Sequence, residues 1–250
     1  SIYKYQSSNQ VIREALEHYG ESGAGTVQSL KLEKKKMEVI GVYSPVGRTM
    51  KTTFALTLGQ ILAKKRACLY LNLEAYSGFE YLMERKFEQT LGDLLYYLRL
   101  GSDQLVTKMG SMVQSINNLD YLPPVLSMED IQSTTAEEWI RLLQQIIDYS
   151  NYDVIILDLG DSVSQLYQLL EQCTRIYMPI RADPVSQAKI QQFEHTLQVW
   201  EKQAVLDRIR KIKPPYHRST RSGTGYMDDL VWSELGDYVR EMIRKEWEDG

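Results

Sequence analysis

A strand, a short turn and a helix start lie together at residues 39–53, and their side chains could bind phosphate. The apolar run 39–43 predicts the strand, and Lys51, Thr52 and Thr53 open the helix that follows. In the common pattern G-x-x-x-x-G-K-[ST], glycines let backbone N–H groups approach the phosphates, the lysine neutralises them and the hydroxyl holds Mg²⁺. We therefore interpret this segment as a phosphate-binding loop.

The loop departs from that pattern at both of its glycine positions, which are occupied by Pro45 and Met50. Gly47, Lys51 and Thr52 remain, and the N–H groups at a helix N-terminus still attract anions. Two interpretations stay open: a working nucleotide site, or a relic that kept the fold and lost the ligand.

Two carboxylates close predicted strands further along the chain. Asp158 ends the run 154–158, where a P-loop NTPase carries a carboxylate that holds Mg²⁺. Glu74 ends the run 68–74, where a carboxylate could orient a water toward a γ-phosphate. Because ligands bind at the carboxyl edge of a doubly wound sheet, we expect both carboxylates beside the loop. The alternative for each is an ordinary turn or solvent-facing residue.

Composition limits the classes of function. The 250 residues can form one large domain, and 29 basic against 33 acidic side chains give a net charge of -4. This charge provides no overall attraction to nucleic acid or to an anionic membrane, so we expect no nucleic acid partner. Cys68 and Cys173 are the only cysteines, and we expect buried thiols in a reducing compartment. No apolar run is long enough to predict a transmembrane segment.

The predicted elements alternate between strands and helices, which indicates an α/β fold with a doubly wound, mostly parallel sheet flanked by helices. The apolar face of the final helix predicts docking on the domain. Strands are predicted at 39–43, 68–74, 154–159, 176–180 and 205–212, with short strands at 113–116 and 121–122. Helices are predicted at 9–19, 52–65, 91–98, 184–200 and 229–247, with further helix starts at Ser127 and Thr135.

Residues 37–197 resemble the MinD/ParA group of deviant Walker ATPases. The loop V-G-R-T-M-K-T-T at 46–53 aligns without a gap with the group's K-G-G-x-G-K-T-T, and 152–158 matches its Y-D-x-I-I-I-D strand. The resemblance implies a P-loop NTPase fold, ATP and Mg²⁺ as cofactors, and a homodimer that forms around nucleotide. The group's signature lysine falls on Val46 and its hydrolytic aspartate on Glu74, which implies weak ATPase activity at most.

The resemblance also implies roles for individual residues. Thr52 and Asp158 would hold Mg²⁺, Glu74 would position a water, and Arg48 is a candidate replacement for the lost lysine. The predicted nucleotide-binding residues are Gly47, Arg48, Thr49, Met50, Lys51, Thr52 and Thr53.

Within that group, the atypical loop, the lead-in 2–6 and the ending 232–238 are most similar to the TadZ/CpaE branch. That branch positions tight-adherence pilus assembly at a cell pole. The likeness implies a cytoplasmic protein, recruited by pilus or secretion assembly proteins to a pole or the inner membrane surface. Residues 1–36 would be an N-terminal helix and linker, a tether from a receiver-like domain, and 37–250 the nucleotide-binding domain. A DNA-partitioning ParA-type ATPase and a nucleotide-free scaffold stay open as alternatives.

Overall fold

The computed structural model describes residues 37–101 and 105–248. The predicted helix at 9–19 and the rest of the predicted tether, 1–36, lie outside the described residues. Within the described residues, helices cover both faces of one seven-stranded sheet, which confirms the predicted α/β fold.

The sheet is parallel except at one edge. Its strands are Glu38–Val42 (β1), Cys68–Leu73 (β2), Gln114–Ile116 (β3), Leu119–Tyr121 (β4), Val154–Leu159 (β5), Arg175–Pro179 (β6) and Ile209–Ile212 (β7). They lie in the order β3-β4-β2-β5-β1-β6-β7, and β3 pairs antiparallel with β4. Every residue of β5 is buried, as its almost continuous apolar sequence predicts for a central strand covered on both faces.

Eleven helices are found in the described residues. They are Lys51–Leu62 (α1), Phe79–Leu82 (α2), Leu91–Arg99 (α3), Leu105–Met112 (α4), Met128–Ser133 (α5), Ala136–Tyr149 (α6), Leu166–Gln172 (α7), Pro184–Val199 (α8), Gln203–Arg208 (α9), Gly223–Val231 (α10) and Glu234–Ile243 (α11), followed by a π-helical turn at Arg244–Glu248. The sequence patterns did not predict α2, α4 or α7.

Alternation along β5 divides the core into two layers. Val154 and Ile156 pack in one apolar cluster with residues of α1, α10 and α11. Ile155 and Leu157 pack in the other cluster, with residues of α3, α6 and α8. Because side chains alternate along a strand, Asp158 shares its face with Ile156 and lies on the α1 side of the sheet.

Two predictions near the C-terminus were wrong in part. The strand predicted at 205–212 is the helix α9 followed by β7. The helix predicted at 229–247 is broken between α10 and α11, because the Ser233 hydroxyl accepts the Gly236 N–H and starts a new helix there. A Cβ built on Gly236 would lie 2.1 Å from the Val231 carbonyl oxygen, so this close turn excludes any side chain at that position.

The end of the described chain is joined to the amino edge of the sheet, which confirms the predicted docking of the last helical segment. The Trp247 indole donates to Glu38 Oε1 at 3.2 Å, and the Tyr177 hydroxyl donates to Glu246 Oε2 at 2.6 Å. Arg175 pairs with Glu246, and its guanidinium lies 4.7 Å from the centre of the Trp247 ring.

Both cysteines are buried and free, as predicted. Burial raises the pKa of each thiol to about 12, so both stay protonated at neutral pH. Among the described residues, no helix combines the length and apolar character needed to span a bilayer.

The helix starts at Ser127 and Thr135 are confirmed, and the second is a complete capping box. The Glu138 N–H donates to Thr135 Oγ1 at 3.2 Å, and the Thr135 N–H donates to Glu138 Oε2 at 2.8 Å. Each bond satisfies an N–H group that the helix itself leaves without an acceptor.

We expect Thr135→Ala to lower the free energy of unfolding by about 1 kcal/mol, the usual effect of losing an N-cap side chain. Urea denaturation monitored by circular dichroism measures it. Gln132→Ala, an exposed position on α5, is the matched control. Equal stability of Thr135→Ala and wild type would contradict the proposed role of the cap.

Candidate functional site

The loop between β1 and α1 is folded on its own polar groups. Ser44 Oγ accepts the Val46 N–H at 3.2 Å, and the Thr49 hydroxyl donates to the Val46 carbonyl at 3.3 Å. Val46 and Thr49 are buried, whereas Gly47 and Arg48 are exposed. The loop therefore presents its Gly47-Arg48 tip to solvent above a packed base.

Met50 keeps the backbone conformation for which the usual pattern employs glycine. Its φ of 65° and ψ of 31° lie in the left-handed region, and Arg48 also has a positive φ of 57°. That conformation costs a non-glycine residue roughly 1–2 kcal/mol. The loop thus has a turn of the required kind although the glycine is missing.

No side chain caps the start of α1. Met50 occupies the N-cap position and makes no side-chain hydrogen bond to the first turn. The first N–H groups of a helix have no acceptor within the helix, and their partial positive charge attracts phosphate. A Cβ built on Gly47 would contact nothing within 4 Å, so a side chain could be accommodated at that position.

Asp158 is fully buried at the level of the loop. The Tyr70 hydroxyl donates to Asp158 Oδ2 at 2.9 Å, and the Asn72 amide donates to the same oxygen at 3.2 Å. The second oxygen, Oδ1, has no hydrogen-bond partner of normal geometry among the described residues. A buried carboxylate oxygen without a donor is suited to a cation or a water bound to one.

Burial raises the pKa of Asp158 to about 6. The nearby Thr52 hydroxyl and the positive charge of Lys51 oppose this rise, whereas the charge of Glu74 adds to it. Thr52 therefore lies near the carboxylate without a normal hydrogen bond to Oδ1, and a Mg²⁺ ion could use both groups.

Lys51 points to the ends of β5 and β2. Its Nζ lies 2.7 Å from Glu74 Oε1 and donates to the Leu159 carbonyl at 2.8 Å. The same nitrogen lies 5.7 Å from the centre of the Tyr43 ring, and its side chain is 12% exposed.

Glu74 is held where it can reach that lysine. Its N–H donates to Asn72 Oδ1 at 2.9 Å, which fixes the chain at the end of β2. A Cβ built on Gly160 would lie 2.8 Å from Glu74 Oε2 and 3.0 Å from the Leu73 carbonyl oxygen, so glycine is required for this approach.

The structure thus brings Lys51, Glu74 and Asp158 together, with Thr52 near Asp158, at the carboxyl edge of the sheet. The Thr53 hydroxyl instead lies 3.4 Å from the Tyr226 hydroxyl, on the side of α10.

Sequence reasoning did not assign roles to Tyr70, Asn72 or Gly160, all of which position the two carboxylates. A signal existed for two of them, because Tyr70 and Asn72 alternate with leucines in an apolar strand. They therefore place polar groups on one face of it.

Several solved structures share this fold. A ParA family ATPase from Chlorobium tepidum matches with 20% identity and a TM-score of 0.60, over 78% of this chain and 80% of that one. Cobyrinic acid a,c-diamide synthase from Mycobacterium smegmatis with bound ADP and magnesium matches with 16% identity and a TM-score of 0.60, over 85% and 96%. MinD in the MinC:MinD cell division complex of Aquifex aeolicus matches with 16% identity and a TM-score of 0.53, over 78% and 76%.

This chain shares the fold of these ParA- and MinD-type structures. No protein-family model matches the sequence, and no curated protein matches it. In a ParA/MinD fold the turn between β1 and α1 lies at the carboxyl edge of the sheet, where ligands of such sheets bind.

The residues at this site could bind Mg²⁺ only if a phosphate ligand supplied further oxygen atoms to the ion. Among the described residues, no three His, Cys, Asp or Glu side chains cluster as a metal site. Mg²⁺ commonly binds through one or two protein oxygens, with phosphate oxygens and waters as the other ligands. Thr52 and Asp158 fit that smaller contribution.

We expect Met50→Gly to raise the free energy of unfolding by up to about 1 kcal/mol, because it relieves the left-handed strain while adding some entropy to the unfolded chain. Met50→Ala, which retains the strain, is the control and should give no such gain. Chemical denaturation of the three proteins measures the difference. A less stable Met50→Gly protein would contradict this account of the loop.

The stability of the folded chain should depend on pH through Asp158. The pKa of Asp158 is raised from 3.8 to about 6, so the folded state binds its proton more tightly. The proton bound to Asp158 contributes fully to the free energy of unfolding below about pH 4. This contribution, on the order of 3 kcal/mol, is lost as the pH rises to about 6. We therefore expect Asp158→Asn to gain stability relative to wild type across this interval.

Urea titrations at several pH values between 4 and 7 measure that difference. Asp207→Asn, which removes an exposed carboxylate, is the matched control. A constant offset between Asp158→Asn and wild type would show that Asp158 does not titrate in this range.

Proposed function

We propose that this chain is an ATP- and Mg²⁺-binding positioning protein of the MinD/ParA type, with slow or absent hydrolysis. The observation that carries the proposal is the buried Asp158, whose oxygen Oδ1 makes no hydrogen bond of normal geometry with the described residues. It lies near Thr52 and Lys51, below a loop in a glycine-like conformation. An oxygen of this kind is costly unless a ligand uses it.

Each residue has a role in this proposal. The ammonium of Lys51 binds the β- and γ-phosphates, and N–H groups from Gly47 to Met50 and the start of α1 line them. Thr52 and Asp158 would hold Mg²⁺, which would neutralise charge on the phosphates as it does in P-loop NTPases. Glu74 orients the water.

Slow turnover follows from a missing cation. Val46 stands where the MinD/ParA group has its signature lysine, and it is a buried apolar side chain. Loss of a cation that contacts the transferred phosphoryl group costs about 10³ to 10⁵ in rate where that cation is an arginine finger. Nucleotide binding can therefore persist while hydrolysis is slow.

The biological role is proposed from the likeness to the TadZ/CpaE branch. In that role the ATP-bound form is a homodimer, and it positions tight-adherence pilus or secretion machinery in the cytoplasm at a pole or at the inner membrane surface. A related arrangement supports the proposal, since the neighbouring MinD structure is a complex with a second protein, MinC.

We expect Mg-ATP at 100 times its dissociation constant to stabilise the wild-type chain by about 2.7 kcal/mol, which raises its melting temperature by several degrees. Lys51→Ala should show no such shift. Lys189→Ala, an exposed lysine on α8, is the control and should respond as wild type does. Differential scanning fluorimetry measures all three, and a single-turnover assay with labelled ATP should give a slow rate.

Other results would favour one of the alternative functions. No shift in wild type would favour the nucleotide-free scaffold, and a fast single-turnover rate would contradict the proposed loss of hydrolysis. Steeply salt-dependent binding to arbitrary DNA would favour the DNA-partitioning class.

A further inference from the structure

Lys51 already has an anionic partner within the chain. Its ammonium lies 2.7 Å from Glu74 Oε1, and the two side chains are only 12% and 27% exposed. The Leu159 carbonyl accepts a further hydrogen bond from the same nitrogen at 2.8 Å. The cation expected to bind phosphate is therefore neutralised by a residue of the same site.

We infer that Glu74 competes with nucleotide phosphate for Lys51, so that this ion pair holds the site in a self-inhibited state. The inference rests on the proposed function and adds its regulation. An entering phosphate must displace the Glu74 carboxylate from the ammonium, and Glu74 becomes free to orient a water only after that exchange. Ligand binding and the release of Glu74 from Lys51 are thus the same event.

The geometry that permits this competition is particular to these residues. Glutamate at position 74 is one methylene longer than the aspartate of the MinD/ParA pattern, and an aspartate would end about 1.5 Å short of the lysine. The N–H of residue 74 is fixed by Asn72, and Gly160 leaves space for the carboxylate. The longer side chain of Glu74, its fixed backbone and the space left by Gly160 together bring the Glu74 carboxylate into contact with Lys51.

The competition also predicts a class of ligand. The Glu74 carboxylate offers Lys51 a single negative charge at short range, and a phosphate group, with about -1.5 to -2 charge at pH 7, can replace it. Because Lys51 is proposed to bind the β- and γ-phosphates, nucleoside diphosphates and triphosphates reach the ammonium and monophosphates do not.

The test measures ADP binding, which leaves hydrolysis and the water-positioning role of Glu74 out of the result. Isothermal titration calorimetry should show ADP binding about fivefold tighter in Glu74→Gln than in wild type, as expected for the loss of a partly exposed ion pair. Glu74→Asp, which keeps the charge but loses the reach, should also bind ADP more tightly than wild type. Glu88→Gln removes an exposed carboxylate beyond α2 and should match wild type.

A second measurement reports the ion pair without any nucleotide. Brief acetylation with acetic anhydride, followed by mass spectrometry, gives the reactivity of Lys51 relative to the exposed Lys189. We expect this ratio to rise about fivefold in Glu74→Gln and to stay at the wild-type value in Glu88→Gln, since only an unpaired amine reacts readily.

The outcomes separate this inference from the proposed function. Unchanged Lys51 reactivity, or equal ADP affinity in wild type and Glu74→Gln, overturns the competition while leaving nucleotide binding intact. Higher Lys51 reactivity without ADP binding in any variant supports the internal ion pair and overturns the nucleotide site. Tighter ADP binding in Glu74→Gln but not in Glu74→Asp would indicate simple charge repulsion and would also overturn the inference.

Discussion

The burial of one carboxylate in the central strand constrains much of the surrounding structure. Asp158 has no exposed surface, and a buried charge is unfavourable unless neighbours compensate it. Tyr70 and Asn72 donate to one of its oxygens, and Lys51 and Thr52 favour its charged form. β2, β5 and the start of α1 must therefore meet at one level of the sheet, which is the level of the candidate site.

The loop between β1 and α1 keeps its conformation without the usual glycines because both of its ends are fixed. β1 and α1 are fixed on the sheet, and the chain between them is held by bonds among Ser44, Val46 and Thr49. Met50 must then adopt a left-handed backbone, whatever its side chain prefers. Residues in such strained conformations persist where the surrounding structure determines them, and they are frequent at ligand sites.

Charge within the site is balanced among its own side chains. Two carboxylates and one ammonium lie at the same edge, so the lysine stabilises both acids. Apolar replacement of both Asp158 and Lys51 would remove the cost of burying these two charges. Both charged side chains are present.

Local sequence patterns were enough to specify the alternation of strands and helices, the buried central strand 154–159 and the capped starts at Ser127 and Thr135. These features depend on local periodicity and on side chains three residues apart, which can be read along the chain. The sequence also indicated that Lys51, Thr52, Glu74 and Asp158 would share one edge, because the ends of parallel strands meet there.

The pairing of these residues depends on how the strands and helices are arranged in the folded chain. The contact of Lys51 with Glu74, the requirement for Gly160 and the support of Asp158 by Tyr70 depend on strands that are distant in the sequence. The break at Ser233 is a local feature that the apolar pattern conceals, because the pattern continues through the position where the Ser233 hydroxyl caps a new helix. A periodic pattern specifies which face of an element is buried, but contacts between elements depend on register and reach, which no single segment contains.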